Sequence, residues 1–211
     1  MAANLRVMAE VVDISIDLPQ PDDVFMVDTN AWYWIVYSRS SQPSVSEKNR
    51  PKPYQTRYYP AYIKKAITAK AKLHYCGLTL SELAHNIEKI EKDIFSSDPA
   101  NPTLKEYRHN YPAERAKVAT AIEASWEMVT TIGTVVSLTI DEETIEAALA
   151  RFQSQPLDGY DLFMAEGMKA KSIQKIITDD GDFVTVPGII VFTANQNMIR
   201  AAKAEGKLVR R

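Results

Sequence analysis

Short apolar runs of strand length alternate along this chain with longer segments in which apolar residues recur at helical spacing. Strands that are separated by helices indicate a parallel sheet with helices on both faces. The predicted strands span 24–28, 73–79, 135–140, 175–178 and 189–193. The predicted helices cover a short segment from 31, roughly 60–71, a segment from 81, 113–131, a segment around 145–152, and 159–171. We therefore expect one α/β domain over residues 1–211, a three-layer α/β/α sandwich with a mainly parallel central sheet.

The segments outside this alternation are predicted as additions to the sandwich. Residues 1–23 form an N-terminal extension whose weak alternation indicates an extra edge strand before a proline-rich bend. The stretch 39–56 is rich in serine and proline, which is typical of a mobile loop. The link 97–103 contains prolines that should end a helix, and 195–211 should form a terminal helix that ends in a basic stub of two arginines.

Cysteine usage and hydropathy exclude several classes of protein. Cys76 is the only cysteine, so no internal disulfide can form, and its apolar neighbours predict a buried, reduced thiol. The first residues carry acids and lack a hydrophobic segment, which argues against a signal peptide. No uninterrupted apolar run approaches the roughly 20 residues that span a bilayer. We therefore expect a soluble cytoplasmic protein with no membrane partner.

Charge is unevenly distributed along the chain. The net charge is −2, but the insertion at about 39–72 contains nine basic side chains and one acidic side chain, a balance of +8. Cations interleaved with tyrosines suit the phosphates and unstacked bases of single-stranded nucleic acid. A solvated loop and helix whose tyrosines pack on the body is an equally open alternative. The tyrosines are Tyr54, Tyr58, Tyr59 and Tyr62, and the expected substrate-binding residues are Arg50, Lys52, Arg57, Lys64 and Lys65.

Acidic residues follow several predicted strands or open the helices after them. In a parallel α/β sheet the carboxyl ends of the strands share one edge, where ligands bind, so acids far apart in sequence can meet there. Clustered carboxylates repel each other unless cations neutralise them, and Mg²⁺ or Mn²⁺ suits a site of oxygen ligands. Such metals hydrolyse phosphodiesters, so the pattern predicts a metal-dependent nuclease. Taken singly, each acid could instead cap a helix, lie in a first turn or form a polar turn.

The order of these acids resembles that of the PIN domain family, metal-dependent ribonucleases that include the VapC-type toxins. The similarity rests on four motifs and extends over residues 24–194. The motifs are Val27-Asp28-Thr29-Asn30, Leu80-Ser81-Glu82-Leu83, Tyr160-Asp161-Leu162-Phe163-Met164-Ala165 and Ile177-Thr178-Asp179-Asp180-Gly181-Asp182-Phe183. The first and last motifs are the more specific ones.

The resemblance implies a role for each matched position. Four residues correspond to the family's catalytic and metal-binding acids: Asp28, Glu82, Asp161 and Asp180. Asp182 corresponds to an auxiliary acid that reaches the metal directly or through water. Polar residues that orient the carboxylates are matched by Thr29, Asn30 and Thr178. Asp158 has no family counterpart and is interpreted as a helix cap.

We therefore expect an Mg²⁺- or Mn²⁺-dependent endoribonuclease, with the toxin of a toxin–antitoxin pair as its leading role. By resemblance, it leaves 5′-phosphate and 3′-hydroxyl ends, and its partners are RNA, a cognate antitoxin and a second copy in a homodimer. Two alternatives stay open: a PIN-fold RNA-binding or scaffold protein that no longer cleaves, and a DNA-directed nuclease of related fold. The three histidines are isolated in the sequence, so we expect structural or surface positions for them.

Overall fold

The computed structural model describes residues 6–96 and 101–211. In this part of the chain, seven parallel strands form one sheet with helices packed against it, which confirms the predicted α/β/α sandwich. The strands are β1 Glu10–Asp13, β2 Val24–Val27, β3 Lys72–Cys76, β4 Thr134–Val136, β5 Lys175–Ile177, β6 Ile190–Thr193 and β7 Leu208–Val209. The helices are α1 Thr29–Val36, α2 Pro53–Thr68, α3 Thr79–Phe95, α4 Leu104–Asn110, α5 Pro112–Ile132, α6 Glu142–Ser154, α7 Gly159–Ala170 and α8 Gln196–Ala204, with short 3-10 helices at Ser38–Ser41 and Asp182–Thr185.

The order of the strands places three strand ends side by side at the middle of the sheet. The order is β4-β3-β2-β5-β6-β1-β7, and β2 pairs in parallel with β3 on one side and β5 on the other. The segments that follow these three strands carry Asp28, Glu82 and Asp180. Since the strands are parallel, their carboxyl ends share one stretch of the sheet edge, where ligands bind in open α/β sheets.

Successive residues of the central strand enter two different hydrophobic cores. Phe25 and Val27 belong to a cluster that also contains Trp32 and Leu83 from the helices after β2 and β3. Met26, between them, belongs to a second cluster with residues of α7 and α8. Both faces of the sheet are therefore covered, which explains why its strands read as continuous apolar runs.

The N-terminal strand does not lie at the edge of the sheet, so that part of the prediction is wrong. β1 pairs with β6 on one side and with β7 on the other. Val11 and Val12 are both buried, because the sheet is covered on both faces at this point. The edge strand is β7, and the predicted terminal helix ends at Ala204 instead of continuing to the basic residues.

Two segments contain more helix than the sequence pattern predicts. α2 begins at Pro53, inside the predicted loop, because proline suits the first helical position and Gln55 accepts a hydrogen bond from the backbone N–H of Lys52 (2.6 Å). α4 is absent from the prediction, although Thr103 and Glu106 form a capping box. Of the predicted link 97–103, residues 97–100 lie outside the described residues. No helix in the ranges 6–96 and 101–211 is long and apolar enough to cross a membrane.

α6 forms where it is predicted, but its apolar stripe does not face the core. Of the stripe, only Ala148 is buried, and Ile145, Leu149 and Phe152 are 51%, 57% and 60% exposed. The helix packs against α7 through its other side. Helical spacing therefore predicts the helix correctly but not the face that the helix buries.

Arg211 is a structural residue rather than part of a basic stub. Its guanidinium donates hydrogen bonds to Asp17 (Nη2–Oδ2 2.9 Å) and Asp23 (Nη1–Oδ1 2.5 Å), and lies 4.5 Å from the ring centre of Phe192. Burial alone would raise the pKa of Asp23, but hydrogen bonds from Arg211 and Lys175 outweigh it and lower the pKa to about 2. The cluster ties the end of the chain to the loop between β1 and β2.

We predict that Arg211→Ala lowers the free energy of unfolding by about 2–4 kcal/mol, because Asp17 and Asp23 stay buried with fewer cationic partners. Urea unfolding at neutral pH measures the loss. Arg210→Ala, at the exposed neighbouring position, should stay within about 0.5 kcal/mol of wild type. Because the pKa of Asp23 is lowered in the folded protein, the ionised side chain adds to the free energy of unfolding above about pH 4, and this stabilisation is lost as the pH falls towards 2. If the free energies of unfolding of the wild type and Arg211→Ala differed by the same amount throughout this pH range, the loss would be one of packing and not of charge.

Candidate active site

Asp28 is fixed by its neighbours at the centre of the carboxyl edge of the sheet. It follows β2 directly and is the N-cap of α1. Its Oδ1 accepts a hydrogen bond from the backbone N–H of Thr29 (2.6 Å), and its Oδ2 accepts one from the Thr178 hydroxyl (2.5 Å). The side-chain amide of Asn30 donates to the same Oδ2. Asp28 is 2% exposed, so the fold determines both its position and its surroundings.

The other three predicted catalytic acids lie along the same edge. Glu82 is in the first turn of α3 and Asp161 in the first turn of α7. Asp180 follows β5, and its backbone N–H donates to the Thr178 hydroxyl (2.8 Å). Three of the acids thus stand at helix N-termini, where the helix dipole favours negative charge.

The four carboxylates lie within each other's electric field. Burial raises the pKa of Asp28 most, and the charges of Glu82 and Asp180 raise it further. Burial also raises the pKa of Asp161 most, followed by the charges of Asp28, Asp180 and Glu82. Like charges shift a pKa in this way only when they are close together. The structure therefore brings these four acids, distant in sequence, to one place.

Two further acids border this cluster. Burial raises the pKa of Asp182, and the charges of Asp180 and Asp158 add to the effect. Asp158 occupies the N-cap position of α7 but its side chain makes no capping hydrogen bond, so its interpretation as a cap is wrong. Its charge instead contributes to the raised pKa values of Glu82 and Asp161. The local pattern around Asp158 gave no signal for this, because capping and cluster positions look alike in sequence.

The donor set of the cluster suits a hard divalent cation. It offers carboxylate oxygens, the ligands that Mg²⁺ and Mn²⁺ prefer, and a cation would relieve the repulsion that raises the pKa values. Among the residues that the structure describes, no three acidic, histidine or cysteine side chains already stand as a group that could hold an ion. Ligation by the predicted acids therefore requires some of their side chains to turn towards one another.

Polar side chains connect the two central strand ends beneath the acids. The Thr178 hydroxyl donates to Asp28 and accepts from the backbone N–H of Asp180, so it bridges two of the predicted metal ligands. The Asn30 amide oxygen accepts from the backbone N–H of Asp179 (3.2 Å). The backbone N–H of Thr29 donates to Asp28 (2.6 Å), whereas the buried Thr29 hydroxyl has no hydrogen-bond partner among the described residues. All three predicted orienting residues therefore contact the cluster or its backbone.

Asp179 belongs to the same loop but faces away from the acids. Its Oδ2 accepts hydrogen bonds from the Tyr54 hydroxyl (2.9 Å) and the Gln55 side-chain amide (2.6 Å), and its Oδ1 accepts one from Tyr59 (2.7 Å). The carboxylate therefore anchors the start of α2 beside Asp180. The sequence shows two adjacent aspartates, and only the long-range partners reveal that they face different groups.

The tyrosines of the basic insertion pack on the body of the protein. Tyr59 and Tyr62 are 0% and 1% exposed, so the stacking role considered for them is wrong and the packing alternative is right. The Tyr54 hydroxyl is hydrogen-bonded to Asp179, and the Arg57 guanidinium lies 5.3 Å from the ring centre of Tyr58. Base stacking on this segment therefore lacks two of its four predicted platforms.

The five predicted substrate-binding residues do not form one surface. Arg50 closes its own loop by donating to the carbonyl oxygens of Pro43 (2.8 Å) and Val45 (2.7 Å). Lys52 and Arg57 lie at the start of α2, near the residues that contact Asp179. The remaining two, Lys64 and Lys65, lie farther along the helix, about 15 Å from Gln55 at 1.5 Å per residue.

One histidine lies near the acids. His85 is exposed and comes one helical turn after Glu82 on α3. Its charge lowers the pKa of Glu82, an effect smaller than the rise caused by burial. His74 contacts the carbonyl oxygen of Thr134 (3.2 Å) on the neighbouring strand, and His109 is exposed.

Comparison with known proteins agrees with this geometry at the level of the family. The PIN domain family matches residues 25–189, a range that contains the four predicted catalytic acids and the two acids that border them. No curated protein matches the chain.

We predict that Asp161→Asn stabilises the metal-free protein near neutral pH by about 1–3 kcal/mol. The pKa of Asp161 is higher in the folded protein than in the unfolded chain, so the free energy of unfolding falls as the pH rises above about 4. Asparagine does not ionise, so the variant does not lose stability in this way. In EDTA, the melting temperatures of the wild type and Asp161→Asn should therefore be similar near pH 4, and that of Asp161→Asn should become the higher of the two as the pH increases.

Two variants control for this effect. Asp28→Asn also removes a charge from the cluster, but it disturbs the hydrogen bonds that Asp28 accepts, so it should gain less stability. Asp22→Asn changes an exposed acid and should show no pH-dependent gain. An equal gain in Asp22→Asn would assign the effect to net charge instead of the cluster.

Proposed function

Because the chain belongs to the PIN domain family, we propose that it is an endoribonuclease that hydrolyses RNA phosphodiester bonds with Mg²⁺ or Mn²⁺. The observation that carries the proposal is the placement of Asp28, Glu82, Asp161 and Asp180 at the carboxyl edge of the sheet, where the charges of Glu82 and Asp180 raise the pKa of Asp28 and all three raise the pKa of Asp161. Such mutual repulsion destabilises a folded protein unless a cation neutralises it. A protein that only binds RNA has no need for such a cluster of acids.

The proposed metal ligands are the four acids of the cluster, with Asp182 as an auxiliary acid. A divalent cation bound there supplies an activated water and offsets the negative charge that builds up on the phosphate during hydrolysis. The residues of the chain itself hold the ligands in place. Thr178 keeps Asp28 and Asp180 together, and the Asn30 side chain and the backbone N–H of Thr29 fix the orientation of Asp28.

The start of α2 is the proposed entrance for the RNA strand. Asp179 holds this end of the helix, which carries Lys52 and Arg57, to the loop that contains Asp180. Both cations are exposed. They are suited to phosphate groups that flank the scissile bond, and phosphate contacts position a strand without reading its sequence. Arg50 contributes by closing the loop that leads into the helix.

Within this activity we propose the role of a toxin in a toxin–antitoxin pair. The support is the family to which the chain belongs, which includes such toxins. A cognate antitoxin would then silence the enzyme by covering the acidic cluster. A basic side chain of the antitoxin placed among the acids would relieve their repulsion as a metal does.

Adjacent aspartates provide a matched test of the proposed chemistry. Asp180→Asn should lower kcat on a fluorescent single-stranded RNA by on the order of 10³-fold, because several kcal/mol of charge stabilisation would be lost with a metal ligand. Asp179→Asn makes the same chemical change one residue away, on a carboxylate that faces α2, and should retain cleavage within about tenfold. EDTA should abolish wild-type cleavage, and Mn²⁺ should restore it. Normal cleavage by Asp180→Asn would remove this acid from the site.

The entrance is tested by RNA binding under conditions that prevent cleavage. Lys52→Gln/Arg57→Gln should weaken binding to single-stranded RNA and reduce the slope of log affinity against log salt by roughly 0.7 per lost phosphate contact. Lys64→Gln/Lys65→Gln removes equal charge from the far end of α2 and should leave the slope nearly unchanged. Equal effects of the two pairs would indicate that the whole helix, and not its start, contacts the strand.

A further inference from the structure

A groove with an apolar lining lies on the outer side of α2, at the end away from the acids. It is bounded on one side by the loop after β1 and on the other by the outer face of the helix, and its volume is about 550 Å³. This size falls in the range of ligand clefts, roughly 300–1,000 Å³. The residues that line it include Leu18, Pro19, Ala61, Lys64, Lys65 and Thr68.

The groove is held open by contacts on its inner side. Asp17, next to Leu18, is buried and accepts hydrogen bonds from Tyr62 on α2 (2.5 Å) and from Arg211 (2.9 Å). Asp17 therefore fixes the distance between loop and helix. Asp17 is 6% exposed, whereas the adjacent Leu18 is 62% exposed and lines the groove.

The two faces of α2 differ in character. Its inner face places Tyr59, Tyr62 and Ile63 in the core. On its outer face, Lys64 and Lys65 are exposed and form no ion pair within residues 6–96 and 101–211. An apolar floor beside two free cations is complementary to a segment that presents apolar side chains on one stripe and carboxylates beside it.

The chemistry of the lining favours a protein segment over RNA. Nucleotides bind to exposed rings and cations together, but no aromatic residue is among those that line the groove. The nearby Tyr59 and Tyr62 are buried. Leu18 and Ala61, which are exposed, offer an aliphatic surface beside the buried Pro19, and leucine-like side chains pack well on it. The excess positive charge of the insertion, +8 in a chain of net charge −2, then meets an anionic partner at this end of α2.

We propose that this groove binds an acidic amphipathic helix of a partner protein. The apolar stripe of that helix lies along Leu18 and Ala61, and its carboxylates pair with Lys64 and Lys65. Binding here is separate from RNA cleavage, because Lys65 lies about 15 Å along α2 from Gln55 at the start of the helix, and Tyr59, which also contacts Asp179, is buried. The proposal therefore does not depend on the nuclease activity.

The test measures binding of a fluorescein-labelled peptide with leucines at helical positions i, i+4 and i+7 and glutamates beside them. We expect fluorescence anisotropy to show salt-sensitive binding to the full chain, and a peptide of the same composition in scrambled order to bind about tenfold more weakly or less. Lys64→Glu/Lys65→Glu should reduce affinity about tenfold or more, and a peptide with lysines in place of glutamates should recover it. Ala61→Arg, which fills the groove without removing a positive charge, should also block binding.

Matched controls separate this proposal from the others. Lys52→Gln/Arg57→Gln should bind the peptide like wild type, and Ala61→Arg should cleave RNA like wild type. Failure of the wild type to bind the acidic peptide, or binding unaffected by the groove variants, would overturn the proposal. Displacement of the peptide by oligouridine would assign the groove to RNA instead. Self-association in sedimentation velocity that Ala61→Arg abolishes would assign it to a second copy of the chain.

Discussion

Repulsion among carboxylates at the carboxyl edge of the sheet is the constraint on which the rest of this structure depends. Asp28 and Asp161 are buried near two other acids, and burial and like charge together raise the pKa of each. Nothing in the cluster itself holds such groups together. The sheet holds the acids together, because β2, β3 and β5 are neighbouring parallel strands and their carboxyl ends lie side by side. Hydrogen bonds from Thr178 and from the helix starts then offset part of the repulsion.

The two ends of the central strand show how strongly surroundings determine the chemistry of one residue type. Asp23 precedes β2 and Asp28 follows it, and both are almost completely buried. Arg211 and Lys175 contact Asp23 and lower its pKa, whereas other acids surround Asp28 and raise its pKa. The first carboxylate is satisfied within the fold and has a structural role. The second accepts hydrogen bonds but has no cationic partner among the described residues, and a buried carboxylate with a raised pKa is typical of a functional site.

The insertion between β2 and β3 links the site to the remaining surface. Asp179 anchors the start of α2 beside Asp180, and Tyr62 anchors the middle of the helix on Asp17. A single helix thus extends from the proposed RNA entrance to the apolar groove. The basic charge of the insertion is divided along this helix, with Lys52 and Arg57 at one end and the lysines of the groove at the other.

The sequence by itself determined the architecture and predicted which acids form the site. Alternating strand and helix patterns predicted the sandwich, because periodicity is a local property that follows directly from which faces are buried. The placement of acids after strands predicted that Asp28, Glu82 and Asp180 would share one edge, because parallel strands allow little else. Some boundaries differed, as for α2, where the capping proline and glutamine lay within a segment that was otherwise typical of a loop.

Only the tertiary structure decided which partner each polar group has. Arg211 reaches Asp23 across 188 residues of sequence, and Tyr54 reaches Asp179 across 125. No local pattern distinguishes Asp179 from Asp180, or a capping Asp158 from one that borders the cluster. The same limit applies to α6, whose stripe of Ile145, Leu149 and Phe152 has helical spacing but stays exposed. Spacing shows that a face is apolar, whereas burial depends on what the rest of the chain places against it.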